Sequence, residues 1–384
     1  MLNKLKKLDW GILLLMGVLM VISTFVVRSA TIGQGPAYEN YDVKTMVFYG
    51  AGFLVMIACV FFDYRILLKT WMYLYGLGLL MLVGLLFFGV TINGATSWYR
   101  ITDSLMFQPA ELEKIFLIIT LAAVIGRRQG EPLSFKTDVL LIAVLSFVPF
   151  LLVMAQPDLG NAIIYLFIVL GMLWIGNVRY LHVLIGLAAI IGVLVLSVTL
   201  FNTYSTEIKD YLEDQGKGHW HTRINTFINP EMATADEKHQ SEKSMIAIGS
   251  GGLTGDGYLQ GDSKNRKFIP YPYSDSIFVV IGEEFGFQGS AVLLLVYFLL
   301  VYRMIIIAFQ CYDIRASYII IGIASMFVFQ IFQNIGMMIG IMPITGITLP
   351  FVSYGGTSLM LNMLSIGIVL SIRAHQYEHM SEDE

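Results

Sequence analysis

One uninterrupted apolar stretch near the amino terminus determines the class of protein. Residues 10–27 read WGILLLMGVLMVISTFVV and contain no ionisable side chain. About 18 consecutive apolar residues are enough for a helix to cross the hydrocarbon core of a bilayer. The run follows Lys4, Lys6 and Lys7, as in a signal peptide, but it is too long for the apolar part of one, and no small-residue cleavage site follows cleanly. The stretch therefore predicts a first transmembrane helix.

The composition of the whole chain also indicates a membrane protein. Of its 384 residues, 56% are hydrophobic and 14% are charged, whereas soluble domains carry about 25% charged residues. This composition excludes a disordered chain and nearly excludes a soluble globular protein. The net charge of −4 gives no indication of nucleic-acid binding. Cys59 and Cys311 lie far apart without metal-ligand spacing, so neither a disulfide framework nor a zinc site is predicted.

Further apolar stretches predict an all-α integral membrane protein with about ten transmembrane helices in a single membrane domain, residues 1–384. The predicted spans are 10–28, 45–62, 70–90, 109–126, 138–155, 160–176, 180–200, 276–302, 317–341 and 352–372. Lys and Arg are concentrated in one set of connecting segments, which marks those segments as cytoplasmic. Both termini are therefore predicted to be cytoplasmic. Residues 201–275 form one large extracytoplasmic loop, in which we expect short helices and irregular structure.

Polar residues near the predicted outer ends of the spans are the candidate functional groups, because polar groups are expensive at membrane depth. Trp98 and Arg100 precede a span that begins with Glu111 and Lys114, which are three residues apart and can pair on one helical face. This cluster fits either an interfacial ion pair with aromatic anchors or the lining of an outward-facing polar cavity. Asp158 lies in a tight turn and fits a helix cap.

A second group of carboxylates surrounds the start of a late span. Asp275 follows an aromatic and proline-rich approach, IPYPYSD at residues 269–275. It could cap the next helix, or it could act as a general base, since desolvation at a dry membrane surface raises the pKa of a carboxyl. Glu283 and Glu284 follow inside the apolar stretch.

Residues 343–358 break the helical pattern before the last predicted span. They contain two prolines, three glycines and Ser353. Irregular backbone at this depth must be buried in protein or line a cavity. The segment therefore either seals the outer face or also contacts substrate.

No energy-coupling domain is visible in the sequence. The glycine cluster GSGGLTGDG at residues 249–257 lacks the Gly-Lys-Ser/Thr ending of a phosphate-binding loop. Any driving force must therefore come from an activated substrate or a gradient.

Taken together, these motifs resemble the SEDS family (shape, elongation, division and sporulation), the RodA/FtsW-type proteins, over essentially the whole chain. The motifs that carry the resemblance are Gly94-Ala95 with Trp98, Gln108–Glu111 with Lys114, Gln156–Gly160, Ala247–Leu253, Ser274-Asp275, Ile281–Gly286 and Pro343–Ser358. Asn161 stands where the family usually has Thr, and Pro272-Tyr273-Ser274 replaces a commoner Glu-x-x-Thr. Leu8-Asp9-Trp10 and Phe62–Arg65 look more like the rod-shape (RodA) branch than the division branch.

The resemblance implies a peptidoglycan glycosyltransferase that polymerises lipid II at the outer face of the bacterial cytoplasmic membrane, for cell elongation and rod shape. The donor would be the growing glycan on undecaprenyl diphosphate, and the acceptor the 4-hydroxyl of lipid II. Asp275 would be the catalytic base. The substrate-binding candidates are Trp98, Arg100, Glu111, Lys114, Asp158, Arg223, Glu283, Glu284 and Ser353. A divalent cation, Mg²⁺ or Mn²⁺, could bridge the diphosphate and carboxylates, although no ligand spacing identifies a metal site.

The resemblance also implies a class B penicillin-binding transpeptidase and other elongation-complex proteins as partners. The single transmembrane helix of the transpeptidase would dock on the spans that begin at Ser276 and near Ser317. There the small residues Gly286, Gly289, Ser290 and Ala291 permit close approach. The alternatives are a lipid II flippase or another polytopic transporter of lipid-linked substrates, and a non-catalytic scaffold. A carrier should have a midplane site open to both faces, whereas these clusters lie at the outer ends of spans.

Overall fold

The computed structural model describes residues 8–92, 95–102, 106–178, 180–214, 218, 221, 225, 235–262 and 269–380, and within these ranges long helices dominate. The helices are α1 (Trp10–Thr31), α2 (Tyr41–Phe61), α3 (Tyr64–Lys69), α4 (Trp71–Phe88), α5 (Pro109–Ile125), α6 (Leu140–Ala155), α7 (Leu159–Ile175), α8 (Tyr180–Thr203), α9 (Ser205–Asp214), α10 (Ala235–Ser250), α11 (Ile277–Phe309), α12 (Ile314–Met338) and α13 (Gly356–Met380). A π-helical turn, Phe135–Val139, runs directly into α6.

Seven of the described helical segments are long and apolar enough to cross a membrane. They are α1, α2, α4, Phe135–Ala155, α11, α12 and Gly356–Gln376. Helices α5, α7 and α8 occupy the remaining predicted spans, and α5 and α7 are each 17 residues long. The chain is therefore a multi-pass, mostly helical membrane protein, as predicted. The count of ten spans and the large outer loop stay predictions.

Helix α12 lies at the centre of the bundle. Buried residues make up 72% of its spanning window, compared with 22% for α4. It packs against α5, α7 and α11. Polar side chains on α12 are therefore enclosed by protein, where they need hydrogen-bond partners.

A small antiparallel sheet departs from the all-helical expectation. Its strands β1 (Val90–Ile92), β2 (Ala95–Arg100) and β3 (Met106–Phe107) pair in sequence order. Trp98 pairs with Val90, and Tyr99 pairs with Phe107. The β-branched and aromatic residues of β2 favour a strand. The sheet joins α4 to α5 and fixes Trp98 near the start of α5.

Helix α11 consists of two segments joined at Gly286. The backbone of Gly286 has φ 61° and ψ −159°, which glycine adopts most readily because it has no Cβ. The glycine cluster 249–257 packs on this kink, where the amides of Asp256 and Gly257 each donate a hydrogen bond, 3.0 Å long, to the carbonyls of Glu283 and Glu284. The cluster therefore has a structural role beside α11.

Opposite the sheet, Asp9 ties three helices together. It caps α1 by accepting a hydrogen bond of 3.0 Å from the amide of Ile12. Its carboxylate also lies 2.6 Å from Nη2 of Arg303 on α11 and 3.5 Å from Nη1 of Arg373 on α13. Because Asp9 is almost fully buried, these cations offset the cost of enclosing its charge.

Candidate active site at one end of the bundle

A cavity of about 550 Å³ lies at the end of the bundle that carries the sheet. The predicted site residues that line it are Trp98, Glu111, Asp158 and Asp275. They come from β2, from the first turn of α5, and from the segments just before α7 and α11. The structure thus brings together groups that are up to 177 positions apart, from Trp98 to Asp275. The volume is within the range of about 300–1,000 Å³ that is typical of small-molecule sites.

A buried polar network forms the floor of this cavity. Lys114 is fully buried and donates hydrogen bonds to Glu111 Oε1 at 2.8 Å and to Asn161 Oδ1 at 3.1 Å. Asn161 Nδ2 and Gln108 Nε2 both donate to Asp158 Oδ2, at 2.9 and 2.7 Å. The pair of Glu111 and Lys114 is therefore buried beneath the cavity and is not a solvated ion pair.

Asp158 has the predicted capping role and also faces the cavity. Its Oδ1 accepts a hydrogen bond of 3.2 Å from the amide of Asn161 at the start of α7. Burial raises the pKa of the Asp158 carboxyl, and the hydrogen bonds from Asn161 lower it. Asn161 connects Asp158 to Lys114 through the two ends of one amide.

Asp275 lies half-buried in the cavity, one residue before the cap of α11. The cap residue is Ser276, whose side chain makes no capping hydrogen bond. Asp275 is therefore not the N-cap residue. A Cβ built on Gly346 would lie 3.8 Å from Asp275 Oδ2, which places the carboxylate beside the backbone of the irregular segment 343–358.

Two side chains fix the backbone around Asp275. The side-chain amide of Asn334, on α12, donates to the carbonyls of Asp275 and Ile347, at 2.8 and 2.7 Å. The hydroxyl of Ser353 donates to the carbonyl of Ser274 at 2.7 Å. That hydroxyl also accepts from the amide of Leu349 at 2.8 Å. Ser353 thus holds the segment and does not line the cavity.

Other predicted site residues lie away from the cavity. Arg100 is exposed at the end of β2. Glu283 and Glu284 are buried beneath the glycine cluster, where Glu284 Oε1 accepts a hydrogen bond of 2.6 Å from Ser29 on α1. The physical reason is the first turns of α11, which direct the Glu284 carboxylate toward Ser29 on α1 and the Glu283 carboxylate toward Gly261. Arg223 lies outside the described residues.

For the predicted divalent cation, the part of the chain that the structure describes offers no site made by protein ligands alone. Among the described residues, no group of three or more His, Cys, Asp or Glu side chains could hold a metal ion. Magnesium is often bound by one or two carboxylates together with substrate phosphates. Asp158 and Asp275 could serve in that way only with the substrate present, so the cation stays a prediction.

Two residues of this region are not among the predicted site residues, Asn334 and Tyr271. Asn334 is a fully buried amide within apolar α12, and its polar side chain inside a predicted span marks it as a functional candidate in the sequence. Tyr271 lines the cavity and is 47% exposed. Its sequence neighbourhood indicated only an aromatic approach to Asp275.

Known proteins with similar sequences cover nearly the whole chain. The family model FTSW_RODA_SPOVE, described as "Cell cycle protein", matches residues 4–378. The chain is 32% identical over 369 residues to "Peptidoglycan glycosyltransferase MrdB" of Escherichia coli (strain K12), covering 96% of this chain and 94% of that protein. It is 34% identical over 289 residues to "Stage V sporulation protein E" of Bacillus subtilis (strain 168), covering 74% and 73%.

Solved structures give the same result. The rod shape determining protein RodA of Thermus thermophilus matches with a TM-score of 0.69 and 29% identity, over 96% of this chain and 98% of that one. A chain from the work "Structural coordination of polymerization and crosslinking by a peptidoglycan synthase complex" matches with a TM-score of 0.78 and 29% identity, over 97% and 99%. The chain belongs to the FtsW/RodA/SpoVE family of cell cycle proteins, the SEDS family that its motifs resemble.

Proposed function

We propose that this protein is a peptidoglycan glycosyltransferase that polymerises lipid II at the outer face of the bacterial cytoplasmic membrane, for cell elongation and rod shape. The observation that carries the proposal is the position of the Asp275 carboxylate in a cavity above the buried cation Lys114. Relatives named peptidoglycan glycosyltransferase support it. Lipid-anchored substrates would have to reach the cavity from one leaflet of the membrane.

The chemistry that fits this cavity is the transfer of a growing glycan to lipid II. Asp275 would accept the proton of the 4-hydroxyl as its oxygen attacks the anomeric carbon of the donor. The bond from that carbon to the diphosphate would break, and the diphosphate would leave with the electron pair. A positioned general base typically accelerates such a step by about 10²–10⁴-fold.

Positive charge near the cavity would help the diphosphate leave. Lys114 is the buried cation next to the cavity floor, and Arg100 is an exposed cation on the strand that contributes Trp98. Cations act strongly on developing negative charge where water is excluded. Arg223 stays a candidate for the same role on the basis of the sequence.

The transporter alternative is less well supported by the described residues. Below Lys114, the side chains of Leu117, Ile118 and Leu121 on α5 are fully buried and apolar. These three side chains offer an ionic substrate no polar partner. A cavity at one end of the bundle favours a reaction at one membrane face.

The orientation proposed here places the cavity end outside and both termini in the cytoplasm. Asp9, near the start of α1, lies with Arg303 and Arg373 at the other end of the bundle. Four more cations lie near helix ends there: Arg65 in the short α3, Arg127 and Arg128 just after α5, and Arg315 in the first turn of α12. An excess of short-loop cations is typical of the cytoplasmic side.

A class B penicillin-binding transpeptidase is the proposed partner, with other elongation-complex proteins. An apolar groove of about 310 Å³ lies between α11 and α12, with Tyr297, Phe298, Val301, Val328 and Phe332 in its lining. Phe298 is 63% exposed and Val328 50% exposed. A single transmembrane helix would fit there. The expected contact at Gly286 is wrong, because that residue is buried against the glycine cluster.

The experiment that tests the function is incubation of the purified protein with lipid II, with and without a candidate transpeptidase. Glycan products are separated on a gel. We expect a ladder of polymers that requires the folded protein. A complete lack of polymer under both conditions, with protein that remains monodisperse, would contradict the proposal.

A further inference from the structure

Five tyrosines form a continuous wall beside the cavity. This tyrosine wall consists of Tyr38, Tyr41, Tyr271, Tyr273 and Tyr354. Tyr41 stacks on Tyr354 with ring centroids 4.1 Å apart, and Tyr38 lies 5.2 Å from Tyr273. Tyr271 and Tyr354 face the cavity. The wall connects the loop between α1 and α2 to residues 269–275 and to the irregular segment 343–358.

A second depression lies on the other side of the tyrosine wall. This polar hollow measures about 520 Å³ and includes Tyr38, Arg28, Glu39, Asn40 and Asp42 in its lining. Arg28 and Asp42 approach within 4.0 Å at its edge. The hollow therefore presents a guanidinium, carboxylates and an amide, next to an aromatic ring that it shares with the wall.

This combination has the chemistry of a saccharide site. The C–H faces of a pyranose ring pack on aromatic rings, while its hydroxyl and acetamido groups need charged or amide partners. Aromatic surfaces with a few placed polar groups are typical of binding sites. The rings also have free surface for a ligand, because Tyr271 is 47% exposed and Tyr38 and Tyr354 are only partly buried.

We propose that the tyrosine wall and the polar hollow bind the growing glycan strand, several sugars away from the reacting anomeric carbon. The inference rests on the proposed function, because only a polymerase holds a strand that extends out of its cavity. Such a strand must leave the cavity beside Asp275, and the wall starts there.

The first test measures strand length. Tyr38→Ala removes the ring that borders the hollow, and we expect polymer strands several-fold shorter than those of the wild type, because the strand dissociates earlier. Tyr38→Phe keeps the ring and should give longer strands than Tyr38→Ala. Tyr73→Ala is the matched control, because Tyr73 is 80% exposed near the start of α4, away from the cavity and the hollow. It should leave strand length unchanged.

The second test measures binding without any polymerisation. The probe is the soluble tetrasaccharide of N-acetylglucosamine, followed by saturation-transfer NMR with detergent-solubilised protein. We expect binding about 3- to 10-fold weaker in Tyr38→Ala, which corresponds to the loss of one ring contact. Glu39→Ala is the second variant. Because Glu39 is exposed in the polar hollow, its removal disturbs packing less than the removal of the Tyr38 ring.

The two tests separate the two hypotheses. Wild-type protein that makes no polymer would contradict the proposed function, and the tetrasaccharide measurement would still decide the inference. Wild-type binding of the tetrasaccharide and wild-type strand lengths in both Tyr38→Ala and Glu39→Ala would overturn the inference. The wall would then serve packing alone.

Discussion

The side-chain amide of Asn334 donates a hydrogen bond of 2.8 Å to the backbone carbonyl of Asp275. A second one, 2.7 Å long, reaches the carbonyl of Ile347. One buried side chain on the central helix therefore joins the segment before α11 to the irregular segment 343–358. The position of the Asp275 carboxylate depends on this connection.

Replacement of Asn334 by alanine should loosen that connection. Two buried carbonyls would lose their donor, at a cost of about 1–3 kcal/mol for each group left unsatisfied. We expect a lower unfolding temperature and at least about a 10-fold loss of lipid II polymerisation, because catalytic geometry tolerates little displacement. The matched control is Asn177→Gly, since Asn177 makes a similar hydrogen bond of 3.0 Å to Gly130 at an exposed position, and glycine tolerates its φ of 56°. Equal effects of the two substitutions would contradict a positioning role.

Removal of the buried cation should damage the cavity floor. Lys114→Ala leaves Glu111 without its buried partner, and breaking such a pair costs about 3–5 kcal/mol. We expect a large fall in polymerisation and a lower unfolding temperature. Lys209→Ala tests the same change at an exposed pair with Glu213, 3.8 Å apart, where about 0–1 kcal/mol is expected. Full activity and stability in Lys114→Ala would show that the network is dispensable.

The kink in α11 should be sensitive to a single methyl group. Gly286→Ala places a Cβ 2.5 Å from the amide nitrogen of Gly255, at a positive φ that disfavours alanine. Backbone strain of this kind costs about 1–3 kcal/mol, so we expect a lower unfolding temperature. Gly249→Ala is the control, because a Cβ there meets no atom within 4 Å. An unfolding temperature in Gly286→Ala equal to that of Gly249→Ala would show that the kink relaxes at no cost.

Hydropathy predicted the helices because their apolar length is a local property of the sequence. The strand at β2 was missed, although its residues favour a strand, because a short three-stranded sheet has no long periodic pattern. The sequence assigned Glu283 and Glu284 to the same site as Asp275 because they follow it closely along the chain. Their spacing along the chain does not reveal the direction in which α11 leaves its first turn. Contacts distant in sequence show it, such as the hydrogen bond from Ser29 to Glu284.

The groove between α11 and α12 should accept the transpeptidase helix. Val328→Trp adds bulk at a half-exposed position that lines the groove, and small or complementary surfaces are required where membrane helices approach closely. We expect less transpeptidase to copurify in mild detergent. Val195→Trp makes the same change on α8, where Val195 is also exposed, and should have no effect. Undiminished copurification with Val328→Trp would place the partner elsewhere.

The sharpest prediction concerns Asp275. Asparagine keeps the shape of the side chain but cannot accept a proton from the attacking sugar hydroxyl. Loss of a positioned general base costs about 10²–10⁴-fold, so Asp275→Asn should nearly abolish polymerisation. Asparagine would cap a helix about as well as aspartate, and the cap residue of α11 is Ser276. If Asp275 had only a structural role, the Asp275→Asn variant would therefore retain activity.

The comparison that decides the role of Asp275 needs a second carboxylate in the same cavity. Asp158→Asn removes the charge from the side chain that caps α7. This variant should keep measurable activity. Both variants are compared with the wild type at matched expression and unfolding temperature, on lipid II, with gel analysis of the products. Near-normal polymer from Asp275→Asn, together with loss of polymer in Asp158→Asn, would transfer the role of the base to Asp158. The carboxyl of Asp158 would suit that role because burial raises its pKa.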